Sequence, residues 1–193
     1  MTGKGTTPDY VIQYLLKANG VTTDDVTLEY KSEATEVVAA LAEDTAAIGL
    51  LPQPFVTAAM AQNENLRVAL DLTAEWDATQ EEGGSRLVTG VTIARTDFLE
   101  ENEDAVKDFL AEHEESAAFT NENPEQAAQW IAELEIVAKA PIAQKAIPAC
   151  NITCIDGNEM KDALGGYLSA LYELEPTSIG GALPADDFYY GAK

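Results

Sequence analysis

Apolar positions recur in two rhythms along this chain, and the rhythm changes near its middle. Tyr10, Val11, Tyr14, Leu15 and Ala18 fall at three- and four-residue steps, which predicts a helix with one apolar face, and Asn19-Gly20 ends it. Val26-Thr27-Leu28-Glu29-Tyr30 then alternates, as a half-buried strand does. Ser32 is placed to cap a helix with Val37, Val38 and Leu41 on one side. Ala46 to Leu51 is a short unbroken apolar run of the kind found in buried parallel strands, and Pro52-Gln53-Pro54 breaks it before a helix from Phe55 to Ala61. Leu66 to Leu72 predicts another strand. Helices alternating with strands imply right-handed crossovers and a mostly parallel sheet.

Residues 73–87 leave that rhythm: Trp76, an acidic run, Gly83-Gly84 and Ser85 suggest an irregular connection. A strand is expected over Val88 to Arg95, and helices dominate from there. Asp97 to Glu100 predicts a short turn of helix. Asn102 is placed to cap a long one with Val106, Phe109, Leu110, Ala117 and Ala118 along it. Asn123-Pro124-Glu125-Gln126 combines an N-cap, Pro at the first position and a capping-box Gln. Pro141 opens a short helix, Asn151 to Ile155 reads as extended, and a last long helix runs from about Asn158 to Tyr172. Its stripe of Met160, Leu164, Tyr167, Leu168 and Leu171 predicts core packing. The tail from Pro176 is turn-rich, with Phe188, Tyr189 and Tyr190 available to dock it.

The start of the chain holds the strongest chemical signal. Gly3-Lys4-Gly5-Thr6-Thr7-Pro8 is a glycine-bearing turn feeding a helix, with Thr7 as N-cap and Pro8 at the first helical position. Open N–H groups there, together with the helix dipole, favour a small anion. The same turn also fits an ordinary capped helix. A helix opening at residue 7 leaves no room for the strand that should feed it, so the chain is expected to be cut from a larger fold.

Composition narrows the partners. The chain has 193 residues, 46% of them hydrophobic, enough for one ordinary domain or two small lobes. Thirty-four acidic against eleven basic residues give a net charge of −23, a field that repels nucleic acid and anionic membranes. A pocket of local N–H donors can still oppose that field. Cys150 and Cys154 stand four apart; two thiolates cannot complete a zinc site, and in a strand they would lie roughly 13 Å apart, too far for a disulfide. Both are expected to be small buried side chains. His113 sits among Glu112, Glu114 and Glu115 on a solvated helix face. No nucleophile elbow, phosphate loop or paired metal ligands are visible, so no catalytic residue, metal or cofactor is expected.

The succession Gly5-Thr6-Thr7-Pro8-Asp9-Tyr10, Tyr30-Lys31-Ser32 and Leu51-Pro52-Gln53-Pro54-Phe55 resembles the solute-binding proteins of ABC importers. Within these it is similar to the nitrate/sulfonate/taurine-type group, which also includes binders of thiamine-precursor pyrimidines. Val88-Thr89-Gly90-Val91 leading to Arg95-Thr96-Asp97-Phe98, Asn121 to Glu125, Ile147-Pro148 through Asp156-Gly157, and Leu183 to Tyr190 match as well. The resemblance covers nearly the whole chain. It implies an α/β, periplasmic-binding-protein-like II fold in which two lobes close on a ligand. Residues 1–86 would be the second lobe, built on a mostly parallel sheet, and 87–193 the helix-rich C-terminal part of the first lobe. The first lobe's N-terminal half, the secretion signal and any lipid-anchoring Cys would lie outside this chain.

The implied function is the extracytoplasmic binding component of an importer, holding a small anionic or heteroaromatic solute between the lobes and delivering it to ABC permease subunits. Gly5, Thr6 and Thr7 match the turn that receives a ligand's head group. Gln53 stands at the carboxyl edge of the sheet, where open α/β sheets place ligands. Trp76 is expected in a loop facing the cleft, stacking on a ring or covering an alkyl chain. Each serves equally well as cap, turn or core residue. The surface left by the missing segment implies self-association. A relative of the pyrimidine-precursor synthesis enzymes and an inactive fragment are the alternative readings.

Overall fold

The computed structural model describes residues 1–80 and 84–193. Nine α-helices follow one another among the described residues: α1 (Thr7–Ala18), α2 (Ala34–Glu43), α3 (Phe55–Gln62), α4 (Leu72–Ala78), α5 (Thr96–Glu101), α6 (Glu103–Glu122), α7 (Pro124–Glu133), α8 (Ala140–Ala146) and α9 (Gly157–Leu174). Short 3₁₀ turns follow α8 and stand in the tail. The helices lie within a few residues of where periodicity and capping place them. Three details differ. The N-cap of α1 is Thr6, so Thr7 and Pro8 are its first two helical residues. The N-cap of α2 is Glu33, which exchanges side-chain and backbone hydrogen bonds with Glu36. Leu72–Ala78, expected to be a strand end followed by an irregular stretch from residue 73, is a helix capped by Asp71, whose carboxylate accepts the Thr73 N–H. The rest of that irregular stretch includes Gly83, which lies outside the described residues.

The contacts divide the chain into two compact units, each drawn from more than one segment. The first comprises Met1–Leu51, Asn65–Gly90 and Ile155–Lys193. Its core is Val11 and Leu15 of α1, Trp76 of α4, and Tyr167 and Leu171 of α9. The last helix returns to this unit because its apolar stripe finds α1 there. Segment 84–88 crosses α9 closely: the Arg86 N–H donates to the Ala163 carbonyl at 3.3 Å. A Cβ on Gly166 would stand 2.6 Å from that of Ser85, so only glycine admits the crossing.

The second unit comprises Pro52–Glu64 and Val91–Cys154. Ala127 and Ala128 of α7 pack with Ala143 of α8 and with Ile147, flanked by Ile131, Val137 and Ile152. Phe119 and Trp130 stack with centroids 5.1 Å apart. Cys150 and Cys154 are half-buried rather than fully buried, and burial raises the pKa of Cys150.

No strand is present among the described residues; the stretches 26–31, 46–51, 66–72 and 88–95 form no ladder. One parallel bridge, Thr2 to Lys31, stands alone. The Lys31 N–H donates to the Met1 carbonyl at 2.8 Å, and the Met1 ammonium donates to the Glu29 carbonyl at 2.9 Å. The expected sheet is therefore not formed among the described residues. A buried parallel strand needs neighbours on both edges and helices on both faces. Here Ile48 is 93% exposed and Leu70 65% exposed. Val68, Val91 and Ile93, which also predict strands, are exposed as well.

Candidate functional site

The turn before α1 is built around Asp9. Gly3 and Gly5 have φ of +76° and +69°, a left-handed conformation that glycine adopts without strain. A Cβ on Gly3 would fall 2.4 Å from the Thr6 hydroxyl. The Thr6 N–H and hydroxyl both donate to the Gly3 carbonyl, at 3.0 and 2.6 Å. Its side chain therefore closes the turn instead of accepting a helix N–H. The Gly5 N–H donates to Asp9 Oδ2 at 2.8 Å, while Gln13 Nε2 and the Tyr30 hydroxyl donate to Oδ1, each at 2.7 Å.

Asp9 is buried. Burial by itself would raise its pKa; the bonds from Gly5, Tyr30 and Gln13, helped by the Lys4 charge, outweigh burial and hold it below the ordinary carboxylate value. The Tyr30 phenol is pushed up to about 12, first by burial and then by its bond to the Asp9 carboxylate. The Lys4 ammonium stands 5.4 Å from the centre of the Tyr30 ring.

Of the donors expected to face a ligand, those of Gly5 and Thr6 are thus engaged inside the turn. The Thr7 N–H has no acceptor among the described residues, and Thr7 is exposed. Beneath it is the Tyr167 hydroxyl, which is buried without a hydrogen-bond partner among the described residues. Burial raises the Tyr167 pKa while the adjacent Thr7 side chain acts in the opposite direction, without reaching hydrogen-bond geometry. Sequence reasoning placed Tyr167 only in a core stripe. The Gly165-Gly166 pair before it, which lets other chain approach the helix, was the available hint.

Trp76 is a helix residue with its ring completely covered, rather than a residue of a loop. It stacks on Tyr14 with centroids 4.3 Å apart and lies 5.4 Å from the Tyr167 ring. Its Nε1–H donates to the Ser85 hydroxyl at 3.2 Å. In this conformation no solute reaches it; it anchors the floor under α1. Gln53 belongs to the second unit. Its Oε1 accepts from the Thr57 hydroxyl at 2.8 Å and the Thr57 N–H at 3.3 Å, closing the first turn of α3. A separate 320 Å³ recess between α9 and the tail is lined by Lys161, Asp162, Ser169, Leu183, Asp186 and Tyr189. Its Lys161 is paired with Asp186 at 2.9 Å.

Comparison with known proteins bears on what such a turn is for. The profile of the family described as NMT1/THI5 like matches residues 2–127. The chain belongs to that family. Its NMT1/THI5-like segment contains the whole α1 turn, α4 and the stretches that read as strands. Among solved structures, an ABC transporter from Parabacteroides distasonis is similar over 97% of this chain, at 25% identity and a TM-score of 0.74. The match spans 64% of that protein's length. The likeness is consistent with a periplasmic-binding-protein-like fold, of which this chain displays the helices. A search of curated proteins found no match. Among the described residues, no helix of this NMT1/THI5-like chain is long and apolar enough to cross a membrane.

Proposed function

We propose that this chain is the solute-binding part of an ABC importer, acting outside the cytoplasm with permease subunits. It would hold a small anionic or heteroaromatic solute by binding rather than turnover. The observation that carries the reading is the exposed start of α1 in a family member similar to an ABC transporter: an open Thr7 N–H at the positive end of a 12-residue helix. In this reading the exposed Thr7 N–H offers its hydrogen to one polar group of the solute, with the Tyr167 hydroxyl buried beneath it. Gly5 and Thr6 shape the turn, Trp76 supports it from below, and Gln53 orders the start of α3.

Calorimetry with nitrate, bicarbonate, taurine, alkanesulfonates and aminopyrimidines tests it, with recovery of unchanged solute as the check on turnover. One saturable ligand is expected. Thr7→Pro removes the N–H at a position where proline suits a helix and extended Thr6 suits a following proline. It should weaken that ligand about tenfold, the upper range for one hydrogen bond. Equal affinity in T7P would remove the α1 turn from the binding site.

A further inference from the structure

We infer that Asp9 sets the charge preference of the α1 turn: its carboxylate occupies the anion position at the helix start and turns anionic head groups away in favour of an uncharged hydrogen-bond acceptor. The inference rests on the reading that this turn faces a solute, and it narrows the solute class that reading leaves open.

Three observations lead to it. An anion at a helix N-terminus needs the backbone donors of the preceding turn and the first helical residues. Here the Gly5 N–H is held by Asp9 Oδ2 at 2.8 Å, and the Thr6 N–H by the Gly3 carbonyl at 3.0 Å. Asp9 stands in the first turn of α1, so its charge already draws on the positive end of the dipole. The carboxylate is also fixed in place. It is only 4% exposed, and Gln13 and Tyr30 hold its other oxygen at 2.7 Å each. An incoming anion at Thr7 would meet a like charge that cannot rotate away and is poorly screened by water.

The groups left to a solute point the same way. The exposed Thr7 N–H presents hydrogen without a full positive charge, and the unpartnered Tyr167 hydroxyl beneath it adds none. Lys4, the cation beside the turn, has its ammonium over the Tyr30 ring. The net charge of −23 adds to the repulsion. A carbonyl oxygen or ring nitrogen can use the Thr7 N–H without opposing Asp9. Sequence pattern alone misses this, because Asp in a first helical turn reads only as favourable to the dipole.

The experiment titrates nitrate and sulfate into the wild-type chain, Asp9→Asn and Tyr30→Phe. Binding is read by calorimetry and by the Thr7 amide resonance in ¹⁵N-resolved spectra. Wild type should show no saturable Thr7 shift with either anion. D9N, neutral at nearly the same shape, should gain affinity by about tenfold or more, the scale of one removed like charge. Y30F loses one donor to the carboxylate but keeps the charge, and should remain as refractory as wild type. Equal gains in D9N and Y30F would mean that loosening of the turn, not charge, admits the anion, and would overturn the inference. A folded D9N with no gain overturns it too. If D9N does not fold, the wild-type Thr7 resonance decides: no shift upholds the inference, and a saturable shift with nitrate or sulfate ends it. Anion binding gained by D9N without any solute for wild type would break the importer reading and leave this one standing.

Discussion

The two units of this protein fill their cores by opposite means. In the first, α1, α4 and α9 converge on Trp76, with Tyr14 and Tyr167 against its indole. In the second, α7 and α8 meet through Ala127, Ala128 and Ala143, side chains small enough to bring helix backbones together. An aromatic core joins elements far apart in sequence by one large object; an alanine seam joins neighbours by the absence of one. The first unit is therefore most sensitive to losing volume, the second to gaining it.

That contrast can be broken by substitution. Trp76→Ala should have the largest effect, about 3–5 kcal/mol off the stability of the first unit, because it leaves a cavity under α1. Urea denaturation followed by far-ultraviolet circular dichroism measures it, and a loss below about 1 kcal/mol would mean that the indole is not what joins the three helices. Ala128→Leu should come next, at about 1–3 kcal/mol by overpacking the α7–α8 seam. Tolerance of leucine without cost would show that the seam has spare room.

The smallest effects are those of pH, and they belong to the first unit. Asp9 has a folded pKa below its ordinary 3.8, so the stability it contributes is present above 3.8 and lost as pH falls through the lower folded value. Tyr30 behaves in the opposite sense. Its folded pKa near 12 lies above the ordinary 10.0, so its contribution is complete below pH 10 and disappears as pH rises through 12. Asp9→Asn should remove the acid limb and Tyr30→Phe the alkaline limb of a denaturation midpoint plotted against pH. An unchanged profile in either variant would show that the Asp9–Tyr30 hydrogen bond contributes nothing to stability.

Legibility in the sequence followed the range of the interactions. Helix positions were readable because their causes are local: Asn123-Pro124 starts α7, and the steps from Tyr10 to Ala18 fix the face of α1. The strand-like stretches have the right side chains, but a strand is completed by pairing with another segment, and residues 46–51 and 66–72 form no such ladder among the described residues. The α1 turn was recognisable from its glycines, whereas its wiring was not. Asp9 reaches Tyr30 across 21 residues, and Trp76 meets Tyr167 from the far end of the chain. Trp76 was misplaced for the same reason: acidic neighbours and nearby glycines suggested a loop, while the ring's burial depends on α1 and α9.

The placement of the two tryptophans gives each unit its own optical reporter. Trp76 is sealed in the first unit with its N–H bonded to Ser85, and Trp130 of the second is 47% exposed beside Phe119. An indole without water emits at shorter wavelength than a wetted one, so fluorescence from the intact chain is a sum of two separable bands. Changing Trp130 to phenylalanine leaves a chain whose emission follows the aromatic core alone. Any event that lifts α1 from α9, whether unfolding or the arrival of a solute at Thr7, is then visible as a colour change from one residue.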